Sequence, residues 1–168
     1  RISYEEMLEL AGRGARVLPL RAVEIAKKYR VRIHVRSSFT DGEGTYIEEV
    51  GEVEKGRVVT GIAHEENVAK VTITGVPDRP GVAATLFQAL GQRGVVAGMI
   101  VQSAPRGGVN DITFTVAMDQ SEEALEVTEE VAAELGAEGC SVERGVAKVS
   151  IVGAGMLGHP GVAGAMFG

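Results

Sequence analysis

Residues 68–87 read VAKVTITGVPDRPGVAATLF, and residues 146–167 read VAKVSIVGAGMLGHPGVAGAMF. VAKV recurs, a β-branched run follows, and then come a glycine, a loop, the tetrapeptide PGVA and an apolar stretch. Val146 follows Val68 by 78 residues and Pro160 follows Pro80 by 80, so the second loop carries two extra residues. Strand, loop and helix start recurring in one order over this length mark tandem modules. Within the second copy, Gly153, Gly155 and Gly158 spell G-x-G-x-x-G. That pattern seats a dinucleotide pyrophosphate when it belongs to a parallel βαβ unit with an acidic residue about 20 positions on. The first copy lacks the fingerprint, and the text reaches Gly168 before either feature. A strand-to-helix loop therefore competes with the alternative, a nucleotide-binding enzyme using the Gly153, Gly155 and Gly158 loop.

Working outward, Val68–Thr74 reads as a strand with Val71 and Ile73 on one face and Lys70, Thr72 and Thr74 on the other. After the turn GVPDRPG, Val82, Leu86 and Leu90 with Ala83 and Phe87 form one apolar helical stripe, ended by Gly91 and Gly94. A mostly apolar strand is expected over 95–103, then a turn at Pro105–Gly108. Asp111–Met118 alternates most clearly, with Ile112, Phe114, Val116 and Met118 on one face. Burying each of those side chains contributes ~1.5–3 kcal/mol before entropy. Ser121 is expected to cap a helix whose Leu125, Thr128, Val131, Ala132 and Leu135 point inward, with Glu122 and Glu123 at its positive end and Gly136 after it. Strands are expected over 140–143 and 146–152. From Val68 to about Glu143 the order is β-α-β-β-α-β, the α+β, ferredoxin-like plan of an antiparallel sheet with both helices on one face.

Ahead of the repeat, Ser3 and Glu6 fit a capping box opening a short helix stopped by Gly12. A second helix is expected over 21–29 and a half-buried strand over 32–36, with His34 on its solvated side. The acidic, glycine-bearing stretch 41–57 reads as a connection, and 58–63 as a short strand. That strand precedes the first module and is free to complete the sheet of the second. Apolar residues at 45% and charged residues at 24% fit a globular protein with a real core. The net charge of −6, with scattered Lys and Arg, argues against nucleic-acid binding, which needs a concentrated basic face. A single cysteine, Cys140, permits no intrachain disulfide and suits a reducing, cytoplasmic setting. His34, His64 and His159 show no ligand spacing with it or each other, so no metal site is expected. No apolar run approaches the ~20 residues that span a membrane, and no signal-peptide core opens the text.

Both copies leave a strand and enter a helix at Pro-Gly-Val-Ala. Pro80 and Pro160 suit a first helical turn, where a missing N–H costs nothing. The free N–H groups of that turn can seat a carboxylate, and neighbouring Asp78 can bind an ammonium group. An ordinary turn with Asp78 as helix cap is the plainer alternative.

VAKVTITGVPDRPGVAATLFQAL and VAKVSIVGAGMLGHPGVAGAMF resemble the paired ACT modules of aspartate kinase (aspartokinase). SYEEMLELAGRGARVLPLRAVEIAKKYRVRIHVRSSF resembles the segment joining that enzyme's catalytic and regulatory parts. The resemblance implies an N-terminal helical and linker segment over 1–57, a first ACT module over 58–145 and the start of a second, truncated one over 146–168. It further implies modules that pair across chains as a homodimer and bind threonine or lysine where modules meet. Threonine is favoured, because Asp78 is the one obvious carboxylate for a ligand ammonium at the first loop. The implied effector contacts are Asp78, Gly81, Val82 and Ala83 of the first loop, Val96 and Gln102 beyond it, and Gly161, Val162 and Ala163 of the second module. Feedback control of lysine, threonine and methionine biosynthesis follows, exerted on a catalytic aspartokinase subunit that uses ATP and magnesium. No catalytic residues and no cofactor are expected in this stretch, which has the extent of the regulatory subunit some members make separately. An ACT regulator of another amino-acid enzyme is a further alternative.

Overall fold

The computed structural model describes residues 1–49, 58–153, 155–156 and 159–168. They divide into two compact units, one of residues 66–148 and one of residues 1–65 with 149–168.

In the first of these, the elements follow the order read from the repeat: β4 (Gly61–Pro77, which enters the unit at Glu66), α3 (Val82–Gln92), β5 (Ile100–Gln102), β6 (Val109–Ala117), α4 (Ser121–Leu135) and β7 (Gly139–Val152, which leaves the unit after Lys148). The sheet order is β5-β6-β4-β7. β6 is antiparallel to β4, with Val71 opposite Phe114 and Ile73 opposite Ile112. Those four side chains are at most 1% exposed. They meet Val82, Leu86 and Leu90 of α3 and Ala124, Val127, Val131 and Ala132 of α4 in one core. Phe87 stands edge-on to Phe114, with ring centroids 5.5 Å apart. The sheet residues between them are polar: Thr72 and Thr113 share a 3.0 Å hydroxyl hydrogen bond, and Lys70 pairs with Glu143 at 2.7 Å. Period-two alternation thus assigns one face to the helices and leaves the other to solvent-compatible groups.

Several boundaries differ from the sequence reading. The runs 58–63 and 68–74 belong to one strand, β4, from Gly61 onward, because His64–Asn67 continues extended backbone instead of turning. Likewise 140–143 and 146–152 join as β7, which carries Gly145 at φ 74°. Strand β5 keeps only Ile100–Gln102 of the expected 95–103. The α4 N-cap is Gln120, with Ser121 the first helical residue, and its most buried stripe includes Ala124 and Val127, with Leu125 half-buried. Met118 leaves β6 for a short 3-10 turn at Met118–Gln120.

The other unit holds β1 (Ile2–Ser3), α1 (Tyr4–Gly12), α2 (Leu20–Tyr29), β2 (Ile33–Val35), β3 (Thr45–Glu48) and α5 (Val162–Phe167). The capping box is formed: Ser3 Oγ accepts from the Glu6 N–H at 3.2 Å, and Glu6 accepts from the Ser3 N–H at 3.2 Å. Strand β3 lies inside the stretch read as a connection; its Ile47, 1% exposed, locks it between β1 and β2. Residues 50–57 of that stretch lie outside the described residues. Exposed His34 stacks on Tyr46 at 3.9 Å. Just ahead of β4, the Thr60 N–H donates to the Val152 carbonyl at 2.8 Å, so this segment pairs with the end of β7.

Candidate functional site

The C-terminal end of β4 is shaped by a bulge. Register with β6 shifts between Ile73 and Val76, and Gly75 adopts φ 65°. The Gly75 N–H, released from the ladder, donates to Asp111 Oδ1 at 3.0 Å. A bulge adds a residue and bends the strand. Here it delivers Pro77 and Asp78 to the start of α3. The Asp78 N–H donates to the Gly108 carbonyl at 2.9 Å, and the Arg79 N–H to the Pro77 carbonyl at 2.9 Å. Asp78 is not a helix cap. Its Oδ1 accepts from Asn110 Nδ2 at 3.2 Å, and the N-cap of α3 is Gly81, at φ 96° and ψ −18°. Pro80 accordingly lies one residue ahead of the cap instead of in the first helical turn.

The first helical bond runs from the Thr85 N–H to the Gly81 carbonyl at 2.9 Å. Val82, Ala83 and Ala84 therefore keep N–H groups outside the helix's own ladder, at its positive end. Those three residues, with Pro77–Gly81 and Gln102 at the end of β5, line a cleft of about 510 Å³. It offers free N–H donors for a carboxylate, the Asp78 carboxylate for a cation, and the Gln102 amide, a donor and an acceptor, for a polar side chain. A small zwitterion with a polar side chain meets all three.

The structure brings together Asp78, Gly81, Val82, Ala83 and Gln102 around this cleft. Val96 stands elsewhere, 73% exposed, its N–H donating to Gln120 Oε1 at 3.2 Å. Gly161, Val162 and Ala163 belong to the other unit, where Gly161 caps α5 at φ 96° and ψ −8°. Gly158 lies outside the described residues. Gly153 is small for a packing reason, since a Cβ there would stand 2.2 Å from the Val58 carbonyl oxygen. Asn110 was not among the sequence candidates; it follows a Gly-Gly-Val turn, and only its place opposite Val76 reveals its contact with Asp78. Burial pushes the half-buried Cys140 thiol up from its usual value, as for a packed side chain. Among the described residues, no group of three or more His, Cys, Asp or Glu could hold a metal ion, and no helix is long and apolar enough to cross a membrane.

The ACT domain family profile matches residues 71–131. An aspartokinase from Thermus thermophilus is 46% identical over 168 residues, covering 99% of this chain and 41% of that protein. The ligand-free regulatory subunit of aspartate kinase from Thermus thermophilus superposes with a TM-score of 0.60 at 43% identity, covering 66% of this chain and 73% of that one. Aspartate kinase from Synechocystis gives 0.68 at 42% identity, covering 98% of this chain and 31% of the other. The chain thus spans about two fifths of the length of the curated relatives it matches.

Proposed function

The chain belongs to the aspartokinase family, and from that premise we propose that it is the amino-acid-sensing part of an aspartate kinase, taking an end-product amino acid in the cleft at the start of α3. The carrying observation is that cleft of about 510 Å³, lined by Asp78, by Gln102 and by Val82, Ala83 and Ala84, whose N–H groups lie outside the helix's own ladder. Threonine is the favoured effector and lysine the other candidate, because one carboxylate serves one ammonium group. In this reading the first ACT module ends at 145 and the second begins at 146, with the strand over 58–63, which shares a compact unit with residues 149–168, going with the second. Binding acts allosterically by stabilising one arrangement of modules over another, which requires differential affinity for the two. The regulated reaction, phosphorylation of aspartate with ATP and magnesium, belongs to the catalytic part or subunit in the cytoplasm. Homodimerisation through the ACT modules is supported by edge strand β5, whose Ile100 and Val101 are 50% and 51% exposed.

Isothermal calorimetry of the chain against threonine, lysine, methionine and NAD tests the reading. Saturable threonine or lysine binding in the micromolar range supports it. Binding of NAD alone, or of no amino acid, would overturn it. Sedimentation equilibrium tests the dimer.

A further inference from the structure

We propose that Asn110 is a positioning residue of the α3 cleft, fixing the Asp78 carboxylate where an effector's ammonium group meets it. The inference rests on the reading above and adds a residue to that site.

Asp78 is exposed, and an exposed carboxylate ordinarily samples several rotamers. Its backbone is held by the Gly108 carbonyl, and its side chain accepts from Asn110 Nδ2 at 3.2 Å. Among the described residues this is the one side-chain donor to Asp78. Asn110 itself cannot wander. It is 4% exposed, sits on β6 opposite Val76, and precedes Asp111, which clamps the Gly75 bulge.

The rest of the amide makes the case. Asn110 Oδ1 is buried with no hydrogen-bond partner. A buried acceptor without a donor is unfavourable, and an apolar side chain would fill the same space without that cost. Packing therefore does not account for an amide here, whereas a donor aimed at Asp78 does. The amide is also fixed in sense, since its oxygen turned toward the carboxylate would set acceptor against acceptor. An aspartate at this position would add like charge, and a leucine would leave Asp78 unheld. With its orientation fixed beforehand, Asp78 loses less freedom when the ligand arrives, and pre-organisation of this kind appears as affinity.

The test is a double-mutant cycle on the full chain, with threonine affinity read by calorimetry and ligand-free melting as the fold control. Asn110→Ala should weaken binding by roughly three- to tenfold, the scale on which fixing one side chain beforehand appears as affinity. In an Asp78→Ala background the same substitution should change affinity by less than about twofold, because its only route to the ligand is gone. Equal losses in both backgrounds, or no loss in either, would overturn the proposal. Should Asn110→Ala fail to fold, Asn110→Ser, which keeps a short donor, takes its place with a smaller expected loss. A ligand-independent measurement separates this proposal from the reading beneath it. The Asn110 side-chain amide resonances, followed by nitrogen-edited NMR, should shift in Asp78→Ala. Unchanged resonances refute the positioning role even if threonine binds. Shifted resonances in a chain that binds no amino acid would uphold the contact and sink the effector reading instead.

Discussion

Gly75→Ala measures how strictly the bulge ahead of the cleft is built. Two terms oppose the added methyl. The first is backbone strain: at φ 65° an L-residue with a Cβ costs ~1–2 kcal/mol relative to ordinary conformations. The second is space. A Cβ on Gly75 would lie 2.2 Å from Glu138 Cγ, 2.5 Å from Cδ and 2.8 Å from Cβ. The outer Glu138 atoms can swing toward solvent, at ~0.5–1.5 kcal/mol for an unfavourable rotamer. Its Cβ is less free, because the Glu138 N–H is tied to the Thr74 carbonyl at 2.9 Å. Together the terms predict destabilisation of about 2–3 kcal/mol. Urea unfolding followed by far-UV circular dichroism reads it directly, since the chain has no Trp to report by fluorescence. The terms separate in a Glu138→Gly background, which removes the three nearest atoms. There Gly75→Ala should retain only the strain, about 1–2 kcal/mol. A cost below about 0.5 kcal/mol in the parent chain would refute the left-handed bulge, the usual scatter of neutral substitutions being of that size. Equal costs in both backgrounds would refute the steric part. Threonine affinity should fall alongside, because Asp78 is only three residues on.

Phe114→Ala removes the largest fully buried side chain and should cost ~3–5 kcal/mol in the same urea assay. The Lys27 ammonium, 2.8 Å away, holds the Glu5 carboxyl below its ordinary 4.5. A depressed folded value means the pair stabilises above 4.5 and is lost as pH falls through that lower value. Lys27→Ala should therefore cost a few tenths of a kcal/mol at neutral pH, both groups being largely exposed, and progressively less as pH falls below 4.5 in urea titrations along that range. Cys140, its thiol pushed up by burial, should react with iodoacetamide at pH 8 several-fold more slowly than in the urea-unfolded chain, as mass spectrometry would show.

The repeat and the alternation of Asp111–Met118 made the βαββαβ unit legible, because both depend on local period and need no knowledge of partners. Where the reading slipped, the deciding interaction was distant in sequence. Thr45–Glu48 sits among acidic and glycine residues, and only pairing of Ile47 with Ile2 and Ile33 makes it a strand. His64–Asn67 looks like a break, yet two strands fuse across it. In α4 the large Leu125 outweighed Ala124 and Val127 on paper, although the smaller side chains occupy the most buried positions under a close-packed sheet. The cleft shows the same division. Asp78 and the helix start were readable from PDRPGVA, whereas Asn110 required the register of β6 against β4.

The repeated PGVA encodes a conformation as well as a composition. Gly81 and Gly161 share φ 96°, with ψ −18° and −8°. Each accepts the first bond of its helix, from Thr85 at 2.9 Å and Ala165 at 3.0 Å. At φ 96° glycine is the residue that fits without strain, and it brings no side chain to the first-turn N–H groups, which Ser, Thr, Asp or Asn caps satisfy from extended backbone. The same chain uses a full capping box at α1, so the sequence is not indifferent to caps. The left-handed glycines thus leave the first-turn donors of both helices unspent, and in the first copy these open beside the cleft. The two helix starts are unequal. Helix α3 runs 11 residues and α5 six, and a six-residue helix aligns fewer peptide dipoles behind its terminus. On the proposed reading, the N–H groups of α3 hold the effector's carboxylate and Asp78 beside them holds its ammonium group.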